Sequence, residues 1–136
     1  MDAVERQVDS ARQLAYGMNK WESIERRVKI IDNPLLSKEE NEAVERNLRG
    51  RELERQDNIT DAIELYEINI ANEFEGNFPY DRLRVIYSKQ GRYGDVIRVL
   101  RKAIDVFGRK VSPSRPDRLS KLERFRRELE KTESKL

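Results

Sequence analysis

Apolar residues in this chain recur in helical stripes, and no segment predicts a strand. At the start, Val4, Val8, Ala11, Ala15, Met18, Trp21, Ile24, Val28 and Ile31 are spaced by three or four. That spacing places side chains on one face of an α-helix. Gly17 weakens the middle of the stripe, where a glycine favours a kink or a break. Asn33-Pro34 stops it, because a residue before proline is pushed out of the α region. Ser37-Lys38-Glu39-Glu40 has the order of a capping box and predicts a second helix over 38–56. Its apolar content is thin (Ala43, Val44, Leu48, Leu53), so it depends on tertiary contacts.

Asn58-Ile59-Thr60-Asp61 opens a third helix over 59–73, with Ile63, Leu65, Tyr66 and Ile70. A turn at Glu73–Asn77 follows, and Pro79 stands where a first helical residue belongs, since its missing N–H costs nothing there. The fourth helix, 79–90, puts Leu83, Ile86 and Tyr87 on one face and ends at Gly91. A fifth, 94–107, carries Val96, Ile97, Val99, Leu100, Ala103 and Ile104 and stops at Gly108. Residues 108–116 form a linker, and Ser114-Arg115-Pro116-Asp117 caps a sixth helix striped by Leu119, Leu122, Phe125 and Leu129. The expected organisation is an N-terminal amphipathic helix in 1–33, paired helices in 37–108 and a basic amphipathic helix in 114–136.

Shifted by 34 residues, the second and third helices fall on the fourth and fifth. Gln56 meets Gln90, Asp61 meets Asp95, Ile63 meets Ile97 and Ile70 meets Ile104. A helix–turn–helix period of 34 is that of the tetratricopeptide repeat, and the chain resembles that family over residues 43–108. Gly50, Leu53, Ala62 and Tyr66 match its small and large positions in the first unit. Tyr80, Leu83, Tyr87, Gly91, Tyr93, Leu100 and Ala103 do so in the second. The departures are Arg46 at a large apolar position, Arg84 at a small one, Asn69 in place of alanine and Gly108 in place of the closing proline. The resemblance implies an all-α right-handed superhelix of helical hairpins. Two units are fewer than the roughly three normally needed for stability, so the N- and C-terminal helices are expected to cap the stack, within the chain or across a homodimer.

Composition narrows the chemistry. Hydrophobic residues make up 37% and charged residues 40% of the 136, the mix of long helices with narrow apolar stripes. Cysteine and histidine are absent, which removes disulfides, thiolate metal sites, the commonest general base and the commonest metal ligand. The expectation is a protein that is not an enzyme and holds neither metal nor cofactor. Met1–Arg6 does not begin a secretory signal, and no apolar run approaches the roughly 18 residues of a membrane helix. An intracellular, cytoplasmic protein is expected. Charge is unevenly placed: residues 36–81 have a net charge of −8 and residues 98–136 one of +7. Such a chain can attract an anionic partner at one end or pair with itself.

The family resemblance implies a groove lined by first-helix residues that do not pack internally. These are Asn47, Arg51 and Glu54 in one unit and Asp81, Val85 and Ser88 in the other, with Trp21 as a possible anchor on the N-terminal stripe. Asp81 argues against a basic clamp for acidic peptide ends. The expected function is a non-catalytic protein–protein interaction module: an adaptor, regulatory subunit or small inhibitor. The alternative is a nucleic-acid-associated protein using Arg115, Arg118, Lys121, Arg124, Arg126, Arg127 and Lys131, since clustered cations neutralise phosphates. Interleaved glutamates oppose it, with Glu123–Arg127 expected to pair along the helix. Phe125 sits among leucines, away from any base-stacking surface. Glu39/Glu40 and Glu52/Glu54 read as surface charge.

Overall fold

Residues 32–136 are described by a computed structural model, and every regular element among them is an α-helix. The elements are α1 (Lys38–Arg55), α2 (Ile59–Ala71), α3 (Phe78–Lys89), α4 (Tyr93–Arg109) and α5 (Arg118–Glu133). The N-terminal stripe, with Gly17 and Trp21, lies outside the described residues.

Helix starts follow local chemistry. The Ser37 hydroxyl accepts from the Glu40 N–H at 3.1 Å, while Glu40 Oε1 accepts from the Ser37 N–H at 3.3 Å, so both halves of the capping box form. Asn41 accepts from the Asn33 N–H at 2.8 Å and donates to its carbonyl at 3.0 Å, pinning the incoming chain to α1. Pro79 lies in the first turn of α3 as expected. Gly91, at φ 70°, turns the chain out of α3, and the Arg92 N–H bonds the Tyr87 carbonyl at 2.9 Å. That left-handed backbone suits glycine.

Two expectations are corrected. Gly108 does not end α4, which continues to Arg109. A glycine stops a helix when it turns left-handed, and among the described glycines only Gly91 has a positive φ. The end of α4 is held from outside, where Arg118 donates to the carbonyls of Phe107 (2.9 Å) and Gly108 (3.0 Å). Nor does Ser114 cap α5. It bonds Ser112, and the cap residue is Asp117, without a side-chain capping bond.

The chain forms two compact units, Met1–Leu65 and Tyr66–Leu136. In the first, a short turn joins α1 to α2. Asp57 adopts φ 61°, and the Asn58 N–H bonds the Leu53 carbonyl at 2.8 Å. Gly50, Leu53, Ala62 and Leu65 are buried there.

In the second unit three aromatic rings meet edge to face. Tyr80 from α3, Phe107 from α4 and Phe125 from α5 have centroids 5.2–6.4 Å apart, and all three are fully buried. Helix directions follow from paired residues. Going up α4, Tyr93, Arg101 and Phe107 meet Lys135, Glu133 and Phe125 in descending order, so α4 and α5 are antiparallel. Asp81 and Arg84 on α3 meet Arg124 and Glu128 on α5 in ascending order, so these helices run parallel. By the same ordering, Glu67 on α2 meets Arg98 on α4, and Glu73 just beyond α2 meets Lys102 and Arg109. The positions Tyr66, Leu83, Tyr87, Leu100 and Ala103 are all buried.

Ala62 has no exposed surface. Ala62→Arg forces bulk and charge into a packed contact and should cost about 3 kcal/mol or more in chemical denaturation; an unchanged midpoint would refute that packing. The glycines give an opposed pair. A Cβ at Gly94, in the first turn of α4, meets nothing within 4 Å, whereas Gly91 is left-handed. Gly94→Ala should therefore stabilise by about 0.5–1 kcal/mol, and Gly91→Ala should destabilise by about 1 kcal/mol.

Candidate protein-interaction surface

On α3, Asp81, Val85 and Ser88 are spaced by four and three, which aligns them on one side of the helix. All three are half-buried. Asp81 does not stand open. Arg124 of α5 grips it with two hydrogen bonds at 2.7 and 2.8 Å, and the Asn77 amide adds a third at 2.7 Å. The geometry is a bidentate guanidinium–carboxylate fork, and the bond to Asp81 chiefly raises the Arg124 pKa. One turn on, the Arg84 guanidinium lies 3.6 Å from Glu128. Arg84, at a position the repeat pattern gives to a small residue, is half-buried and reaches the Glu128 carboxylate of α5. The α3 face is thus flanked by a second, parallel helix.

On α1, described by itself, Arg51 is exposed and Glu54 half-buried. Asn47 departs from its expected place on an open groove, with only 9% of its surface exposed. Arg46 and Asn69, the other polar residues at packing positions, are also buried, at 6% and 0%. Trp21 lies outside the described residues.

Behind this surface, α2 and α4 are joined by charge. The Tyr87 hydroxyl donates to Glu67 at 2.5 Å, and Glu67 also receives Arg98 at 2.6 and 3.1 Å. Burial, then the bond to Glu67, pushes the Tyr87 pKa well up. Glu73 binds Lys102 at 3.2 Å and also Arg109. Those cations, Lys102 foremost, hold its carboxyl below the usual range. Tyr80 donates to the Phe74 carbonyl at 2.7 Å, and burial raises its pKa too. These perturbed groups are locked into bonds within the fold: Tyr87 and Glu67 between helices, Glu73 and Tyr80 between the α2–α3 loop and the helices. Among the described residues no cluster of His, Cys, Asp or Glu could hold a metal ion, and no helix is long and apolar enough to cross a membrane.

The basic residues of the C-terminal segment divide into two sets. Arg115 is bound to Asp117 and the Glu75 carbonyl, Arg118 to the end of α4 and Arg124 to Asp81. Arg126 and Arg127 have no ion-pair partner among the described residues, and the expected Glu123–Arg127 pair does not form. Sequence reasoning missed Arg124 and Glu128 as neighbours of the α3 face. Asp81 and Arg124 are 43 residues apart, so a 34-residue period does not bring them together. Comparison with known proteins adds no relative: no family model, curated protein or solved structure matches the chain.

A double-mutant cycle checks the bridge from α3 to α5. Asp81→Asn and Arg124→Gln should each lower the unfolding midpoint, with a coupling energy of about 1 kcal/mol between them. Additive effects would show that the fork adds nothing to stability.

Proposed function

We propose that this chain is a non-catalytic protein-interaction module, built of two tetratricopeptide-like hairpins and closed at its C-terminal end by α5. Its partner lies along the face of α3 that carries Val85 and Ser88. One observation carries the reading: α3 runs parallel to α5, and α2 parallel to α4. That is the order of stacked helical hairpins, each contacting its neighbour. The burial of Tyr66, Leu83, Tyr87, Leu100 and Ala103 at the repeat's packing positions supports the same reading. So does the outer face of α5, where Glu123, Arg126, Arg127 and Glu130 are exposed; a polar face is what a terminal element needs for solubility.

An adaptor, regulatory subunit or small inhibitor in the cytoplasm fits a chain without His or Cys. The nucleic-acid reading is weakened because Arg115, Arg118 and Arg124 already serve the fold. The N-terminal stripe of the sequence gives the proposal a second part, a homodimer that shelters Trp21 and Met18, since two repeats leave apolar faces that a symmetric mate can cover.

The test is capture of proteins from source extract by the immobilised chain and by Val85→Glu, with circular dichroism to check folding. A protein retained by the first and lost by the second is the expected result. Identical retention by both would remove α3 from the binding surface. Light scattering on the free chain should give about twice 16.2 kDa at micromolar concentration; a mass that stays monomeric on concentrating would remove the dimer.

A further inference from the structure

Among the described residues, α1 keeps one apolar strip open to water. Val44 and Leu48, one helical turn apart, are 39% and 36% exposed, while Arg46, Asn47, Gly50, Glu52 and Leu53 on its other sides are buried. Two apolar residues at a surface are ordinary by themselves. What sets these apart is where the chain enters. Asn41 precedes Val44 by three residues and Leu48 by seven, which places all three along one face of the helix. The Asn41 side chain accepts from the Asn33 N–H at 2.8 Å and donates to the Asn33 carbonyl at 3.0 Å. The Leu36 N–H closes a turn on that same carbonyl at 3.1 Å. The chain therefore reverses just before α1 and arrives on the face that carries Val44 and Leu48. Arg51 and Arg55 continue that face, both exposed, so its apolar part ends at Leu48.

We infer that residues 24–31 dock antiparallel on this face of their own chain's α1, with Val28 against Val44 and Ile24 against Leu48. The segment lies outside the described residues, and its tether to Asn33 is what commits it to this face. Only residues 32–37 separate Ile31 from α1, and the turn uses four of them. So short a connection leaves helices as antiparallel neighbours. Val28 and Ile24 are four residues apart, the spacing of Val44 and Leu48, so the two pairs meet one helical turn apart. The stripe from Val4 to Ile31 spans about 40 Å as a helix, far more than the single apolar turn that α1 offers. Trp21, Met18 and the positions before them therefore meet Arg51 and Arg55 in place of an apolar surface, and are left to the symmetric mate. The inference thus deepens the dimer reading above by dividing the stripe between the chain's own α1 and the second copy. A second copy's α1 is a poorer occupant of the strip. Val44 and Leu48 alone fall far short of the roughly 1,000 Å² that a specific interface buries, whereas a tethered segment is held close by its own chain.

Because the chain contains no cysteine, introduced pairs report on this contact alone. Val28→Cys with Val44→Cys, and Ile24→Cys with Leu48→Cys, should each form a disulfide within one chain under mild oxidation, read as a monomer of altered mobility in non-reducing electrophoresis. Arg26→Cys with Leu48→Cys is the control, since Arg26 falls on the opposite side of a helix from Ile24. Its yield should be lower by about tenfold, because a disulfide needs Cα atoms within about 7 Å. Circular dichroism checks the folding of each variant. Leu48→Glu gives a second measurement without cysteines. It should lower the unfolding midpoint, whereas at an open surface site it would leave the midpoint unchanged. Absence of both disulfides, an equal yield from the Arg26 control, disulfides between chains only, or an unchanged midpoint for Leu48→Glu would each overturn the inference. Light scattering on the oxidised protein keeps the dimer reading separate. A disulfide within the chain of a protein that stays monomeric on concentrating would remove the mate and leave the docked segment standing. A dimer joined by disulfides between chains only would do the reverse.

Discussion

The second unit depends on the meeting of Tyr80, Phe107 and Phe125. Three rings from three helices fill one buried volume edge to face, and aromatic pairs in this arrangement gain attraction beyond the area they bury. Tyr80 brings a hydroxyl into that volume, and a buried hydroxyl without a partner is costly. Its bond to the Phe74 carbonyl therefore ties the α2–α3 loop to the core. Phe125 fixes where α5 lies, and from that position Arg118 reaches the last carbonyls of α4 and Arg124 reaches Asp81. With α5 elsewhere, Asp81 would lose its principal cation and the end of α4 its outside donor.

The uneven charge of the sequence takes on a structural meaning once the helix directions are known. Residues 56–81 contain no lysine or arginine, yet Glu67, Glu73 and Asp81 are each held by a cation from α4 or α5. Part of the acidic middle and part of the basic end are two sides of the same internal bonds, made 29–43 residues apart. Pairs so far apart in sequence fix the register of parallel helices, a service exposed charges render better than they add stability. A net positive terminus therefore overstates what is available to a partner. Arg115, Arg118 and Arg124 are engaged, while Arg126 and Arg127 have no ion-pair partner among the described residues.

Much of the fold was legible because it is local. The capping box at Ser37, the proline opening α3 and the left-handed Gly91 act within a turn or two, and stripes spaced by three and four located α1 to α4 within about two residues. Gly108 misled because sequence shows where a glycine stands but not whether its backbone turns left-handed. Here Arg118, ten residues on, secures the helix end and the helix runs through. Glu123 and Arg127 had the spacing of an intrahelical pair, but both are exposed to water and do not meet, because a solvated pair gains little from holding two long side chains together. Asn47 looked like open surface because it is polar, and its burial follows from packing around α1 that one polar residue does not announce. The Asp81–Arg124 bridge was hidden for a further reason. The linker lengthens the step from α3 to α5 beyond the 34-residue period, so the self-comparison that found the hairpins could not find the helix that closes them.

That closure shapes how the surface can work. A stacked helical array exposes an apolar face at each end, and an end left bare would pair with whatever apolar surface it met. In the second unit, α5 buries Leu122 and Phe125 while keeping its outer face charged. Its placement parallel to α3 also creates a two-helix furrow where a single hairpin would present only one helix. Because ion pairs at Asp81 and Glu128 hold the helices in register, the side chains along α3 and α5 sit on a frame that the fold itself orders. A surface of that kind avoids most of the ordering entropy that a flexible loop would lose on binding.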